Sequence, residues 1–501
     1  MDLVEIDRSD HASETELTPE SGWEHCYIDG EWVPAGDRDL IEVENPATGE
    51  TIARVPAATT DDVDAAYEAA ASAQAEWADT LPQERAEVLG KISHLMGEYA
   101  EDLTHLIAIE AGGVQLKGEV EVEVTQGMIQ VSSGLPFKAS GDQHDSVIPG
   151  RENLVVREPV GVVGIITPWN YPLNLALRAV IPAIALGNAV VLKPDEHTPV
   201  VGGLAIAALL EEAGVPPGLF NVVTGRGSEI GDHFSSHPTP SVVSFTGSTA
   251  VGRRVAKNAA EQLHLPQLEL GGNCPHVVTE QADLDLAVDA AMLGTFINQG
   301  QGCISINRHL VHESLYDDYV DQLASRAAEL PIGDPRDPDV VIGPISYEEQ
   351  HATVGEFLER TIAEGATVET GGTAEWPYIE PTVLSGVTNE MSAACNEHFG
   401  PIAPVIPFET DDEAVELAND TEYGLAASVH SRDLGHARDI ADRIDAGMVH
   451  INDQPTNDEP HMPFGGTKAS GLGRFNDRWV MDEYTEPKWI SVQREDRDYP
   501  L

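Results

Sequence analysis

Short apolar runs alternate with amphipathic helical patterns between Val162 and Val278, and this alternation constrains the fold more than any other feature of the sequence. Five of these runs predict strands: 162–166, 189–192, 219–223, 242–245 and 276–278. Because helical crossovers connect parallel strands, the spacing indicates βαβ units and a parallel sheet. A second α/β segment extends from about Asp283 to Phe464, so the predicted fold class is α/β.

The composition indicates a large folded chain with several domains. Its 501 residues are 41% hydrophobic, which is enough to bury an extensive core. Lys and Arg number 28 against 85 Asp and Glu, for a formal net charge of −57. A field this negative repels phosphate backbones and anionic headgroups, so nucleic acid and membrane surfaces are not expected as partners.

The acidic residues are spread along the whole chain, which favours a halophilic protein from a salt-rich cytosol. At about 1 M salt the Debye length falls to about 3 Å, and self-repulsion between the acids is screened. The alternative is an ordinary acidic protein with an acidic tail. Residues 1–22 hold seven acids and one Arg without periodicity, and they are expected to form a flexible tail.

Three features predict a cytoplasmic location. The four cysteines lack the spacing of a disulfide framework or a zinc site: Cys26, Cys274, Cys303 and Cys395. Residues 1–5 lack the basic and apolar regions of a secretory signal. Pro and Asn residues interrupt the nearly uncharged segment 161–192, which therefore predicts a buried strand, loop and helix rather than a membrane span.

Cys303 lies in the glycine-rich turn Asn298–Cys303, after an apolar helix. Such a turn allows a substrate to approach closely and exposes backbone N–H groups beside the sulfur. Cys303 is therefore a candidate nucleophile, and the alternative is a buried structural thiol.

Glu269 lies in a short apolar run that ends at Gly271 and Gly272. Partial desolvation would raise its pKa and suit it to act as a general base, whereas a salt-bridged structural carboxylate fits the local sequence equally well. Asn170 follows the first predicted strand, where its amide could stabilise an oxyanion.

Two glycine-rich turns follow later strands, at 225–227 and 247–252, and they suggest a dinucleotide site although neither has the full Gly-x-Gly-x-x-Gly pattern. Glu196 follows the second strand, where a carboxylate can accept both ribose hydroxyls and repel a 2′-phosphate. This favours NAD over NADP. Glu196 could also be a solvated loop charge.

Taken together, these segments resemble the aldehyde dehydrogenase superfamily from about Trp23 to Gln493. Seven motifs occur in the family's order: 167–172, 193–196, 245–252, 268–272, 296–303, 397–401 and 463–471. The resemblance implies a Rossmann-like parallel-sheet NAD domain, an α/β catalytic domain and a small β oligomerisation arm, within a homodimer or homotetramer. The expected boundaries are 23–134 and 155–270 for the NAD domain, 271–464 for the catalytic domain, and 135–154 and 465–501 for the arm.

The resemblance also implies residue roles. Cys303 is the expected nucleophile, Glu269 the general base, and Asn170 an oxyanion donor. The expected NAD contacts are Trp169, Lys193, Glu196, Gly227, Ser248, Gln350, Glu397 and Phe399. No metal is expected. Relatives that transfer the acyl group to coenzyme A usually lack this Glu, so its presence favours hydrolysis.

The motifs around residues 175–180, 303–308 and 450–459 look most like the benzaldehyde and vanillin dehydrogenase branch, which predicts an aromatic aldehyde as substrate. The candidate pocket residues are Tyr171, Leu175, Arg178, Ile304 and Phe464. The main alternative is an aliphatic aldehyde or a semialdehyde such as succinic semialdehyde, whose distal carboxylate Arg178 could pair with.

Two other functional classes, a cysteine hydrolase and a catalytically inactive binding protein, fit the sequence less well. A cysteine hydrolase would need a His paired with Cys303, and no His lies in a motif that predicts such a pair. A catalytically inactive binding protein would be expected to have lost Cys303, Glu269 or Asn170, and all three are present.

Overall fold

The computed structural model describes residues 15–499, and its strands are short and mostly apolar. They are β1 (His25–Ile28), β2 (Glu31–Pro34), β3 (Leu40–Glu44), β4 (Thr51–Pro56), β5 (Asp142–Asp145), β6 (Arg151–Pro159), β7 (Val162–Ile166), β8 (Ala189–Lys193), β9 (Phe220–Val222), β10 (Val242–Thr246), β11 (Leu265–Glu269), β12 (Cys274–Val278), β13 (Ile306–His312), β14 (Thr367–Thr370), β15 (Ala374–Glu375), β16 (Tyr378–Ile379), β17 (Thr382–Ser385), β18 (Ile402–Phe408), β19 (Ala426–His430), β20 (Met448–Ile451), β21 (Gly471–Leu472) and β22 (Thr485–Gln493).

Helices separate most of these strands. They are α1 (Thr60–Asp79), α2 (Pro82–Glu98), α3 (Ala100–Ala111), α4 (Gln115–Ser132), α5 (Leu135–Lys138), α6 (Pro172–Ala185), α7 (Ala205–Glu212), α8 (Gly227–Ser236), α9 (Thr249–Glu261), α10 (Leu284–Phe296), α11 (Glu313–Ala327), α12 (Glu348–Ala363), α13 (Ser392–Cys395), α14 (Asp411–Asn419), α15 (Leu434–Ala441) and α16 (Asp477–Tyr484). A π-helical turn at Val200–Leu204 precedes α7, and short 3-10 turns cover Ile297–Gly300 and Lys468–Ser470.

The predicted parallel sheet forms the centre of the first large sheet, whose order is β2-β1-β9-β8-β7-β10-β11-β21. Strands β9, β8, β7, β10 and β11 are parallel, and β1 and β21 pair antiparallel at the two sides. Strand order reverses between β7 and β10, which makes their carboxyl ends a topological switch point. In open α/β sheets, ligands bind at such a point.

A second sheet has the order β14-β17-β18-β13-β12-β19-β20, and only the pairing of β14 with β17 is antiparallel. The α/β class with parallel strands is therefore confirmed. The expectation that 276–278 continues the first sheet is wrong, because β12 pairs with β13 and β19 instead. An apolar run next to a helix predicts a strand, but it does not indicate which sheet the strand joins.

A three-stranded sheet, in the order β22-β6-β5, stands apart from the two large ones. Strand β22 pairs antiparallel with β6 from Thr485 opposite Pro159 to Gln493 opposite Arg151. The boundary at residue 155 is wrong, since β6 extends to Pro159 within this sheet. Strand β21 also leaves the predicted arm and joins the first sheet beside β11.

The main hydrophobic core lies around the first sheet and helices α1–α7, and separate cores pack on the second sheet. Residues 1–14 of the expected tail lie outside the described residues. Leu17 is 4% exposed and belongs to the main core, so the expected tail is packed against the fold at this residue, while Glu20 and Ser21 are exposed. Within residues 15–499, no helix is both long and apolar enough to cross a bilayer.

A buried ion pair anchors the first turn of α6. Lys117 Nζ donates to Glu121 Oε2 at 2.5 Å, and both side chains are almost fully buried. The other carboxylate oxygen of Glu121 accepts the N–H groups of Leu173 and Asn174, each at 3.0 Å. These N–H groups have no partner within the helix, so the carboxylate takes the place of an N-cap residue.

Replacing Glu121 by Ala is expected to lower the free energy of unfolding by about 3 kcal/mol or more, because Lys117 would remain buried without a counter-charge. Urea unfolding in high salt, followed by tryptophan fluorescence, measures this loss. The double variant Lys117→Met with Glu121→Gln removes both charges and should regain much of it. A wild-type midpoint for Glu121→Ala would contradict the anchoring role.

Candidate active site

A cavity of about 260 Å³ opens at the switch point of the first sheet and reaches the second sheet. It is lined by nine of the residues predicted for the site: Trp169, Asn170, Leu175, Ser248, Glu269, Cys303, Gln350, Glu397 and Phe399. A groove of about 500 Å³ adjoins it. The groove is lined by Trp169, Lys193, Glu196, Gly227 and Ser248 among the predicted residues. Because the two spaces share Trp169 and Ser248, they form one continuous cleft.

The turn before Cys303 has an unusual backbone. Asn298, Gln299 and Gly300 all have positive φ angles, of 50°, 56° and 71°. A Cβ atom on Gly300 would lie 2.2 Å from the carbonyl oxygen of Gly400, so only glycine fits there. This tight turn ends α10 and brings Cys303 to the wall of the cavity.

The thiol of Cys303 lies among charged groups. Burial raises its pKa and Glu397 raises it further, whereas the cation of Arg178 lowers it. A thiol is a nucleophile only as the thiolate. Burial therefore favours the protonated form of Cys303, and the cation of Arg178 works against it.

Asn170 is tied to the turn that carries Cys303. Its side-chain N–H donates to the carbonyl of Gln301 at 3.0 Å. Asn298 donates in return to the backbone carbonyl of Asn170 at 3.1 Å and to that of Gln301 at 3.2 Å. One amide proton of Asn170 remains beside the cavity. These hydrogen bonds keep Asn170 and Cys303 in register although they come from different sheets.

Glu269 ends β11 and is 4% exposed. Among the described residues, neither of its carboxylate oxygens has a hydrogen-bond partner. Burial raises its pKa well above the ordinary value, and the cations of Arg178 and Arg474 only partly offset this. The predicted desolvation is confirmed, and the alternative of a salt-bridged carboxylate is wrong for Glu269.

A second buried carboxylate, Glu397, accepts the N–H of Gly272 at 2.8 Å. Burial raises its pKa to about 7. A Cβ atom on Gly271 would lie 2.3 Å from Glu397 Oε2, and one on Gly272 would lie 2.1 Å from the carbonyl oxygen of Cys303. The paired glycines therefore allow the end of the first sheet to pack directly on both groups.

The groove has polar groups at its strand ends and two helix N-termini. Lys193 ends β8 and donates to the carbonyl of Pro194 at 3.0 Å, while burial lowers its pKa. Glu196 accepts the N–H of Gly227, the first residue of α8, at 3.2 Å. Ser248 immediately precedes α9 and is exposed to the groove. Exposed N–H groups at helix N-termini favour anionic groups such as phosphates.

An aromatic cluster lies where the groove meets the cavity. Trp169 makes edge contacts with Tyr347 and Phe399, with ring centroids 5.3 and 5.4 Å apart. Gln350 donates to the carbonyl of Phe399 at 3.2 Å, and Phe399 has a positive φ of 53°. His197 stacks on Tyr347 at 4.0 Å. Burial alone would lower the pKa of His197, but its bond to Asp195 raises it.

Of the five predicted pocket residues, only Leu175 lines the cavity beside Cys303. Phe464 lines a separate cavity of about 280 Å³. The ring of Tyr171 lies 4.5 Å from Lys117 Nζ, and Ile304 packs against the main core. Arg178 is 5% exposed and paired with Asp458, so its expected availability to a substrate carboxylate is wrong. The local sequence could not show this partner, because it is 280 residues away.

Sequence reasoning also missed Tyr347, His197 and Glu121. Tyr347 and His197 line the groove. Glu121 accepts the N–H of Leu173 at the start of α6, the helix that follows Asn170. The Asp195-His197 spacing next to Glu196 was the only local signal for any of them. The other contacts join residues that are far apart in the chain.

Comparison with known proteins agrees with this geometry. Residues 32–490 match the Aldehyde dehydrogenase family. A vanillin dehydrogenase from Corynebacterium glutamicum is 44% identical over 470 residues, covering 93% of this chain and 97% of the relative. A benzaldehyde dehydrogenase (NAD+) from Pseudomonas putida is 42% identical over 480 residues, covering 96% and 98%.

Among solved structures, betaine aldehyde dehydrogenase from Staphylococcus aureus in complex with NAD+ matches with a TM-score of 0.92 at 35% identity. The match covers 95% of this chain and 96% of that one. The cavity with Cys303, Glu269 and Asn170 thus lies in a fold that is shared over nearly the full length. The chain belongs to the aldehyde dehydrogenase family.

Proposed function

We propose that this chain oxidises an aromatic aldehyde to its carboxylate with NAD, through a covalent intermediate on Cys303. The observation that carries the proposal is the meeting of Cys303, Glu269 and Asn170 on one cavity that continues into a dinucleotide-sized groove. A nucleophile, an unpaired buried carboxylate and an amide donor are the groups that acyl transfer followed by hydrolysis requires.

The groove fits NAD in position and in chemistry. It lies at the switch point of a parallel sheet, with the N-termini of α8 and α9 available to phosphate oxygens. Lys193 and Glu196 would hold the adenosine ribose, and Gly227, Ser248 and Trp169 would line the path of the adenosine and pyrophosphate. Glu397, Phe399 and Gln350 would flank the nicotinamide ribose.

Carboxylates favour NAD over NADP in this groove. Asp195 and Glu196 both line it, and a 2′-phosphate would meet their negative charge. The names of two similar proteins support this choice, since the Pseudomonas putida relative is an NAD+ enzyme and the Staphylococcus aureus structure contains NAD+.

In the acylation half, the thiol proton of Cys303 passes to water, and the resulting thiolate adds to the aldehyde carbon. The resulting oxyanion accepts hydrogen bonds from the free amide proton of Asn170 and from the N–H of Cys303. When bound, NAD supplies the hydride acceptor that turns this adduct into a thioester. The cation of Arg178 lowers the pKa of the Cys303 thiol and so favours the thiolate, whereas burial of the thiol opposes it.

In the deacylation half, Glu269 takes a proton from a water molecule that attacks the thioester carbon. The C–S bond breaks, the carboxylate product leaves, and Cys303 returns to its starting form. The raised pKa of Glu269 makes it a stronger base than an exposed carboxylate. Among the described residues its oxygens have no hydrogen-bond partner, so neither is engaged when a proton has to be accepted.

An aromatic substrate is favoured over a semialdehyde. The guanidinium of Arg178 is buried and already paired with the carboxylate of Asp458, which makes it a poor partner for a distal carboxylate of the substrate. The cavity contains Trp169, Leu175 and Phe399, whose apolar surfaces suit an aromatic ring. Relatives named for vanillin and benzaldehyde at 44% and 42% identity support the same choice.

The surroundings and assembly belong to the same proposal. We assign NAD binding to the first sheet, catalysis to the second, and assembly into a homodimer or homotetramer to the three-stranded arm. The acidic surface suits a salt-rich cytoplasm, and all four cysteines are free thiols, as a reducing compartment requires.

Cys303→Ala is expected to abolish NADH formation, because the covalent step is lost. Glu269→Gln should keep a burst of about one NADH per active site but slow the steady state about 100-fold or more, because only deacylation needs the base. Stopped-flow absorbance at 340 nm separates the two phases. Full steady-state activity in Cys303→Ala would reject the mechanism.

With NAD in about 2 M KCl, which shortens the Debye length to a few Å, kcat/KM is expected to be highest for benzaldehyde or vanillin. Succinic semialdehyde should be turned over at least about 10-fold less efficiently, because Arg178 is already paired. Propanal and NADP serve as the comparison substrate and cofactor. A preference for the semialdehyde would retain the enzyme class and reject the aromatic pocket.

Deletion of residues 485–501 is expected to break the assembly into monomers, because it removes β22 and its exposed apolar side chains. Trp489 is 66% and Ile490 39% exposed on this strand. Light scattering after size exclusion measures the mass, and Trp489→Ser with Ile490→Ser removes exposed apolar side chains from both faces of β22 without deleting the strand. The matched control is Leu263→Ser, at a residue that is 92% exposed elsewhere. An unchanged oligomer in both arm variants would exclude the three-stranded arm as the assembly surface.

A further inference from the structure

Arg178 lies behind the reacting groups in an unusual environment. Its side chain is 5% exposed, and its guanidinium carbon lies 4.0 Å from the ring centroid of Phe464. Nη2 donates to the carboxylate of Asp458 and to Asn174 Oδ1, the latter at 3.3 Å. Within residues 15–499, Nε and Nη1 have no hydrogen-bond partner. Asp458 is therefore the carboxylate that compensates this buried cation.

Asp458 is itself held in place. It lies in the loop between β20 and Phe464, and its side chain is 11% exposed. One oxygen accepts from Arg178, and the other accepts from Asn476 Nδ2 at 2.8 Å. Asn476 has a positive φ of 74° and donates a second bond to the carbonyl of Glu459 at 3.3 Å. The carboxylate is thus fixed from both sides.

The pair lies close to the reacting groups: Arg178 packs on the ring of Phe464, and a Cβ atom on the next residue, Gly465, would lie 2.7 Å from Glu269 Oε1. Burial raises the pKa of Glu269, Arg178 and Arg474 lower it, and Asp458 and Glu483 raise it. For Cys303, burial and Glu397 raise the thiol pKa, Arg178 lowers it, and Cys274 and Glu269 raise it. These are the charged and titratable groups that face the two sites. Arg178 is the cation common to both, and Asp458 is the nearest counter-charge to Arg178.

We propose that Asp458 is a positioning residue that neutralises Arg178 and orients its guanidinium, so that Glu269 and Cys303 act beside a balanced ion pair rather than a bare cation. The proposal rests on the proposed function, in which Glu269 is the base of deacylation. A bare cation at this place would stabilise the Glu269 carboxylate and weaken it as a base. Asp458 therefore preserves the basicity that its burial gives Glu269.

The two members of the pair should shift the pH profile in opposite directions. Asp458→Asn keeps the shape and removes the negative charge, so the acidic limb of the deacylation rate is expected to move about one pH unit lower. Arg178→Gln removes the cation, so the limb is expected to move about one unit higher. Post-burst NADH formation between pH 5 and 9 measures both limbs. A merely structural ion pair would weaken both variants without opposite shifts.

Alkylation of Cys303 by iodoacetamide gives a second readout that does not depend on turnover. At a fixed pH near 7.5, alkylation is expected to be several-fold slower in Arg178→Gln than in Asp458→Asn, because only the former loses the cation. Peptide mass spectrometry identifies the modified cysteine. Cys395 is exposed and has Arg308 rather than Arg178 as its neighbouring cation, so it serves as the internal reference.

Three further variants complete the design. Arg178→Lys retains the positive charge, so the acidic limb of its pH profile should lie at the same pH as in the wild type. The double variant Arg178→Gln with Asp458→Asn should return the limb towards wild type, because no net charge remains. Asp62→Asn breaks a partly buried ion pair with Arg38 outside the cleft and should lower stability without moving the acidic limb.

The outcomes separate this proposal from the proposed function. If Asp458→Asn and Arg178→Gln turn over normally and the acidic limbs of their pH profiles lie at the same pH, the role of Asp458 is overturned. The enzyme mechanism is then retained. Failure of all aldehydes to react would reject the proposed function, while the alkylation rates would still report the charge at Cys303. Equal alkylation rates in the two variants, measured against Cys395, would overturn the proposal independently.

Discussion

The close approach of the Gly271-Gly272 turn to the Cys303 backbone is the constraint on which the rest of the site depends. This turn follows β11, a strand of the first sheet, and leads into β12, a strand of the second sheet. No side chain fits at Gly272, because a Cβ atom would lie 2.1 Å from the carbonyl oxygen of Cys303. The missing side chains bring the end of β11, with Glu269, within reach of a cysteine that another sheet presents. Two separate sheets thereby share one cleft.

The buried carboxylates of the molecule differ in how they are satisfied, and this difference separates support from chemistry. Glu121 has an ion pair and two backbone N–H donors, so its charge is fully compensated and it holds a helix in place. Glu397 has one backbone donor. Glu269 has none among the described residues. Burying an unpaired carboxylate is unfavourable, and such groups persist where their reactivity is needed.

Local patterns predicted the elements better than their partners. The runs at 162–166 and 242–245 are strands of the first sheet, since alternating apolar runs and helical patterns are local signals. The same signals assigned 276–278 to the wrong sheet. Sheet membership depends on long-range hydrogen bonds between strands. The residues of the site differ in the same way. Cys303 lies in a recognisable glycine turn and Glu269 lies just before one, whereas Tyr347 has no local motif.

The sequence by itself determined the α/β class and the glycine turns, because these depend on residue type and short spacing, and its resemblance to the aldehyde dehydrogenase superfamily singled out Cys303, Glu269 and Asn170. Only the tertiary structure decided which charges meet. Arg178 looked available to a substrate carboxylate, yet Asp458 reaches it from 280 residues away and neutralises it. Coulomb interactions act through space, and their partners, unlike turn residues, leave no pattern in the order of the amino acids.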